Sequence, residues 1–234
     1  MLADFYNVSI LESDFAAKFV LNEAHYADTP AALRSYEKLA DLGLKNLMNK
    51  DLATVNYDQG KKIMAEGKTA HYICLSNTFG RISGNYPDAM DFLSIFPEPS
   101  DDPSINGYTT WYPDAWYISK NVKDLGLAKA FLAFMVSQEG IDARATGDQL
   151  DGPLLISGLK TPSNALPLVF ELQEFINEGK SKPALEYITP NASAPELPQI
   201  CVEVGMGMVT PEKGAAEYDK AVKILSKQLG LKGW

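Results

Sequence analysis

The densest run of chemically useful side chains is Tyr108-Thr109-Thr110-Trp111-Tyr112-Pro113-Asp114-Ala115-Trp116-Tyr117. Aromatic rings offer flat faces to the C–H faces of sugars, and Asp or Asn beside them can bond hydroxyls. Trp111 and Tyr112 stand next to Pro113, in a predicted turn, and read as a pocket rim. Trp116 and Tyr117 admit two readings, a ligand-facing platform or the core of a following strand. Asp114 is either a turn former or a ligand contact.

The remaining reactive residues do not assemble into a catalytic or metal-binding pattern. His25 and His71 are the only histidines. His71 and Cys74 are three apart in a predicted strand, where an odd separation points them to opposite faces. No second Cys or His pair completes a zinc set. The sequence has no G-x-S-x-G elbow, no Walker A loop and no G-x-G-x-x-G. Gly205-Met206-Gly207 begins such a pattern, but Thr210 stands where the third glycine is needed, and glycines in a helical pattern serve close packing. Asp101-Asp102 and the pair Asp148 and Asp151 fall in predicted loops. Glycosidase chemistry depends on the spatial separation of carboxylates, which spacing alone does not give. The expectation is therefore no catalytic residue, no metal and no cofactor, with a glycoside-active enzyme using loop carboxylates as the alternative.

The elements that must position the aromatic stretch follow from periodicity and caps. Thr29-Pro30 opens a helix with Leu33, Tyr36, Leu39 and Ala40 on one face and Gly43 as its stop. Asp58 to Glu66 reads as a short helix ended by Gly67. Thr69 to Leu75, Asp91 to Phe96 and Ala115 to Ser119 are rich in strand formers. Ser76 or Asn77 caps a helix to about Ser83. Helices are also predicted over Leu125 to Val136, Ser137 to Ala145, Leu168 to Ile176, Leu197 to Met208, and Pro211 to Gln228. Residues 147–167 are rich in Gly, Pro and Ser and read as loops. Strands alternate with helices, so the predicted class is α/β.

Charge and composition narrow the partners. The chain has 234 residues, 46% hydrophobic, with Lys+Arg 21 against Asp+Glu 30 and a net charge of -9. Such a field repels a phosphate backbone, and the lysine clusters are short, so nucleic acid is not an expected partner. No apolar run approaches the ~18 residues of a membrane span. The first residues, Met1-Leu2-Ala3-Asp4-Phe5, have neither a basic nor a long apolar region of the kind that marks an export signal. Cys74 and Cys201 read as two buried free thiols, with a long-range disulfide left open by their spacing.

Four segments, in order, carry a resemblance. Met64-Ala65-Glu66-Gly67-Lys68-Thr69-Ala70 is one, after the helix of Tyr36, Leu39 and Gly43. Phe92-Leu93-Ser94-Ile95-Phe96-Pro97-Glu98-Pro99 is the second. The third joins Trp116-Tyr117-Ile118-Ser119-Lys120-Asn121 to Ala128 through Phe134 and Ser137-Gln138-Glu139-Gly140. Thr210-Pro211-Glu212-Lys213-Gly214-Ala215-Ala216 and the helix after it is the fourth. Together they resemble the C-terminal part of bacterial extracellular solute-binding proteins of ABC importers, family 1, the sugar-binding type. In one branch of that family the strand after the Gly67 position leads to a Trp that stacks on sugar. Here Leu75, Ser76 and Asn77 occupy those positions, with Phe79 two further on.

The resemblance implies a periplasmic-binding-protein-like fold of type II, mostly the C-terminal lobe with part of the N-terminal lobe. It places residues 1–92 and 150–234 in the C-terminal lobe and 93–149 in an incomplete N-terminal lobe. It implies capture of a small solute, a carbohydrate, for delivery to a membrane permease, in an extracellular or periplasmic location. The ligand-binding residues expected are Asn77, Phe79, Trp111, Tyr112, Asp114 and Trp116. An incomplete lobe would leave Leu127, Phe131, Phe134 and Met135 as an apolar face, so self-association of the chain is also expected.

Overall fold

The computed structural model describes residues 1–234 apart from 112–115 and 148. In chain order the first elements are helices α1 (Phe5–Leu11), α2 (Phe15–Val20), α3 (Pro30–Leu44), α4 (Tyr57–Ala65) and α5 (Asn77–Asn85). Strand β1 (Tyr108–Thr110) follows, then α6 (Leu125–Met135), α7 (Gln138–Ala145) and α8 (Pro167–Asn177). Strand β2 (Ser181–Pro183), α9 (Leu185–Ile188), α10 (Leu197–Gly205) and α11 (Pro211–Gln228) complete the chain. The sheet found among the described residues is a two-stranded parallel ribbon, with Tyr108, Thr109 and Thr110 opposite Ser181, Lys182 and Pro183. A parallel pair joined through intervening helices is an α/β feature, in a chain that is otherwise mostly helical.

The chain forms two units. The first comprises residues 1–55, 97–111 and 180–234, and the second comprises 56–96 and 112–179. These divisions differ from the segments at 92/93 and 149/150 expected from the resemblance.

In the first unit α3, α10 and α11 pack on one another, and α1 packs on α3 and β2. Helix starts are set locally. Pro30 and Pro211 occupy the first helical turn, where a missing N–H costs nothing. Thr210 Oγ1 also accepts from Lys213 N, at 3.3 Å. The core between these helices is largely aromatic. Tyr26 meets Phe15 edge-on at 5.3 Å and Tyr218 at 5.1 Å, and lies 6.1 Å from Tyr36. Tyr26, Tyr36 and Tyr218 are fully buried. Tyr218 donates to Ala192 O, at 2.7 Å, whereas the Tyr26 and Tyr36 hydroxyls have no partner among the described residues. Asp219 closes the turn before α3 by accepting from the amides of Tyr26 (2.9 Å) and Ala27 (2.8 Å).

In the second unit the buried residues include Phe79, Ile82, Ile141, Ala145, Leu166, Leu168, Val169 and Leu172. Asn56 and Gln59 form a capping box on α4, Asn56 accepting from Gln59 N at 3.0 Å and Gln59 accepting from Asn56 N at 2.8 Å. Ser137 caps α7 by accepting from Gly140 N, at 3.2 Å. Gln173 on α8 holds the 150s loop at both backbone groups of Leu154 (2.9 and 3.3 Å). Helix α6 has no buried residue.

Three expected strands are not observed. Residues 69–75 and 92–96 carry no ladder hydrogen bonds, and neither do 116–119, the described part of the third segment. Ile73, Leu75, Phe92 and Phe96 are exposed. Strand-forming side chains do not make a strand without a neighbour to take the backbone groups. The thiols are free, as expected, but differ from expectation in burial: Cys74 is exposed and Cys201 half-buried.

Candidate functional site

In the first unit the parallel ribbon positions Trp111. Tyr108 N donates to Lys180 O and Ala184 N donates to Thr110 O, both at 3.0 Å. The ladder thus extends to the last residue before Trp111 on one strand and beyond Pro183 on the other. Thr109 fixes β1 to the N-terminal segment: its Oγ1 accepts from Tyr6 N (2.8 Å) and donates to Ala3 O (2.7 Å). At Gly107 an added Cβ would lie 2.2 Å from the Tyr6 ring and 2.5 Å from Lys180 O, so only glycine lets β1 enter the ribbon here. Trp111 stands at the carboxyl end of β1, and α9 follows the carboxyl end of β2. Ligands of α/β sheets bind at that end of the strands.

The Trp111 indole Nε1–H donates to Glu186 Oε1, at 3.2 Å. The other carboxylate oxygen, Glu186 Oε2, is buried without a hydrogen-bond partner among the described residues. Trp111 itself is half-buried. This pair gives the first unit a fixed aromatic face backed by an acidic acceptor. Nothing local to Trp111 signals Glu186, which lies 75 residues away in sequence.

In the second unit Asn77 is an exposed residue at the start of α5, and Ser76 makes no side-chain cap bond there. Phe79 is 8% exposed and belongs to the core with Ile82, so it offers no free ring face, contrary to the expected ligand contact. The loop after residue 148 meets the same helix. A Cβ on Gly80 would stand 2.5 Å from an Asp151 carboxylate oxygen, and one on Gly152 3.4 Å from Ser76 Oγ. Trp116 is 46% exposed, with the Arg144 guanidinium 5.5 Å from its ring centroid, and Tyr117 is 89% exposed. Of the two readings of these rings, the core of a strand is therefore excluded. Tyr112 and Asp114 lie outside the described residues.

A further cluster in this unit was not visible from the sequence. Lys61 lies 4.5 Å above the Tyr57 ring and 2.8 Å from Asp58, and Tyr57 donates its hydroxyl proton to Thr78 Oγ1 at 3.1 Å. The Asp58 carboxyl is held below the ordinary range by its hydrogen bond to Lys61. Tyr72 packs on Gly60, where an added Cβ would meet its hydroxyl at 2.9 Å.

Of the loop carboxylates named for the enzyme alternative, Asp101 and Asp102 are engaged structurally, and Asp148 lies outside the described residues. Asp101 takes a two-pronged bond from Arg34, at 2.6 and 2.9 Å, which lowers its pKa. Asp102 accepts from the Ser104 hydroxyl and amide, which lowers its pKa likewise. A general acid needs the opposite shift. His71 is exposed and meets Phe96 edge-on at 5.4 Å. Among the described residues no group of three His, Cys, Asp or Glu is placed to hold a metal ion. No helix of the described residues is long and apolar enough to cross a membrane.

No family model matches the chain, and no curated protein sequence matches it. Among solved structures, a chitin oligosaccharide binding protein is similar, with a TM-score of 0.59 and 20% identity. The alignment covers 96% of this chain and 56% of that one. At this identity the likeness is one of fold: the chain folds like a little over half of an oligosaccharide-binding protein.

Proposed function

We propose that the chain is the solute-capturing part of an ABC importer, of the periplasmic-binding-protein-like type II fold, and that its solute is a carbohydrate. The observation that carries this reading is the fold likeness to a chitin oligosaccharide binding protein across 96% of the chain. Supporting it are two tryptophans that are not buried, the half-buried Trp111 in the first unit and the exposed Trp116 in the second. Indole rings stack on sugar C–H faces, while amide and carboxylate side chains fix a sugar's orientation through its hydroxyls. In this reading the solute is held and released unchanged, outside the cell or in the periplasm, and passed to a permease in the membrane.

Calorimetry with a panel of short oligosaccharides tests the reading, with chitooligosaccharides and maltooligosaccharides as its first members. The expected result is saturable binding to at least one member, which is then recovered intact. Shortened products would show a glycoside-active enzyme instead. Absence of binding across the panel would remove the carbohydrate assignment.

A further inference from the structure

We infer that Glu186 is a positioning residue that holds Trp111 in the orientation required for stacking on a sugar ring, an inference that rests on the carbohydrate reading above. The two residues lie just beyond the carboxyl ends of the two paired strands of one parallel ribbon. Trp111 directly follows β1 and Glu186 lies three residues beyond the end of β2. The Ala184 N to Thr110 O bond at 3.0 Å fixes the separation of the two chain exits. The side-chain bond at 3.2 Å then closes the gap between them.

Two features separate this contact from ordinary packing. A tryptophan at the surface can satisfy its single N–H with water, so a carboxylate is not needed for solvation. What a carboxylate adds is direction: a charge-assisted bond narrows the rotation of the indole about its side-chain torsions. An aromatic face fixed before the ligand arrives loses less conformational freedom on binding. The second feature is the other oxygen. Glu186 Oε2 is buried and has no partner among the described residues, an arrangement that costs stability and is uncommon in folded proteins. Glu186 also adds to the raised pKa values of Tyr26 and Tyr218, which are caused chiefly by burial. A residue retained in that position for stability alone would satisfy both oxygens. The geometry instead points to a group kept for what its first oxygen does to Trp111.

The test uses the whole chain and three variants, Glu186→Gln, Glu186→Leu and Trp111→Phe. The readouts are calorimetric affinity for the best sugar of the panel, the quenching of tryptophan fluorescence on binding, and the thermal midpoint. Glu186→Gln retains an acceptor for the indole N–H and should bind within a few-fold of the parent. Glu186→Leu cannot accept, and should bind about tenfold or more weakly, with reduced sugar-dependent quenching. Its thermal midpoint should be equal to or above the parent's, because a buried unpaired oxygen has been removed. Trp111→Phe should abolish the Trp111 share of the quenching and make the Glu186 variants equivalent to one another. If Glu186→Leu binds as tightly as the parent with the same quenching, the inference is wrong while the carbohydrate reading stands. If Gln and Leu weaken binding equally, the bond to the indole is not the cause and the inference is also overturned. If the parent binds no sugar at all, the carbohydrate reading itself has failed.

Discussion

Gly43 on α3 faces the backbone carbonyl of Gly205 on α10 so closely that a Cβ on Gly43 would lie 1.9 Å from the oxygen. The two helices cross at a point where neither carries a side chain. Gly43→Ala gains about 1 kcal/mol of helix propensity. It also forces a methyl group into a backbone atom that cannot move without its helix. Overpacking of this kind costs about 1–3 kcal/mol, and with no soft partner the upper end applies. The expected outcome is a net loss of about 2 kcal/mol in urea unfolding. Gly84 on α5 is the contrasting site, because nothing lies within 4 Å of its added Cβ. Gly84→Ala should be neutral or stabilising by up to about 1 kcal/mol.

The ion pair between Asp4 and Lys38 (2.6 Å) should show the asymmetry of buried charges. The two side chains are 3% and 19% exposed. Asn7 also donates to the Asp4 carboxylate, at 2.6 Å, and Lys38 donates to Pro99 O, at 2.8 Å. Lys38→Met leaves the Asp4 carboxylate buried without its counter-charge and should cost about 3 kcal/mol. The double variant Asp4→Asn with Lys38→Met should recover most of that loss. Equal destabilisation in the single and double variants would show that packing by the lysine stem, not charge, is at stake.

Asp219 predicts an unusual dependence on pH. Burial raises its pKa above the ordinary carboxylate value, outweighing the bonds from the Ala27 and Tyr26 amides that lower it. A carboxyl with a raised folded pKa binds its proton more tightly in the native state than in the unfolded chain. Its contribution to stability is therefore full below about pH 4, the unfolded value, and is lost as pH rises through the raised folded value. The Asp219→Asn variant lacks this proton-linked part. In denaturant titrations from acid to neutral pH, the parent should lose stability relative to the variant as pH rises. A constant difference between the two would show that Asp219 titrates normally.

Helix α6 should govern the association state. Leu127 is 68% exposed and Phe131 58%, and no residue of the helix is buried. A helix with one charged residue, Lys129, and apolar side chains at most other positions ordinarily buries its apolar face inside protein. The expected outcome is concentration-dependent self-association in sedimentation, removed by Phe131→Lys without loss of thermal stability. A parent chain that stays monomeric at high concentration would refute it.

Helices were legible in the sequence where a cap and a stop bracketed an apolar stripe. Thr210-Pro211 and Gly230 bound α11, and Gly230 has the positive φ of 66° that such a stop requires. Strands were not legible, because pairing is a property of two segments. Thr69 to Leu75 has the composition of a strand but no partner among the described residues. Ser181-Lys182-Pro183 has poor composition for a strand, yet pairs with β1. Helix α1 (Phe5–Leu11) was missed because it is only seven residues long, too short for an apolar stripe to repeat, and its N-cap, Asp4, makes no side-chain cap bond to it. At the candidate site, the exposed Trp116 and half-buried Trp111 were visible as aromatic density. Phe79 was assigned from its place beside Asn77, whereas its helical spacing to Ile82 marks it as a core residue. Glu186 had no local signal at all.

The tyrosine trio of the first unit turns part of the protein's absorption spectrum into a report on its interior. Of eleven tyrosines, Tyr26, Tyr36 and Tyr218 are fully buried and their pKa values are raised far above the ordinary phenol, chiefly by burial. In alkali the exposed phenols ionise first, while these three keep their protons for as long as the helices around them stay closed. Their tyrosinate absorbance appears only when water enters the core. A rapid jump to high pH would thus separate two populations in time, and the slow phase would measure how fast the core of the first unit opens.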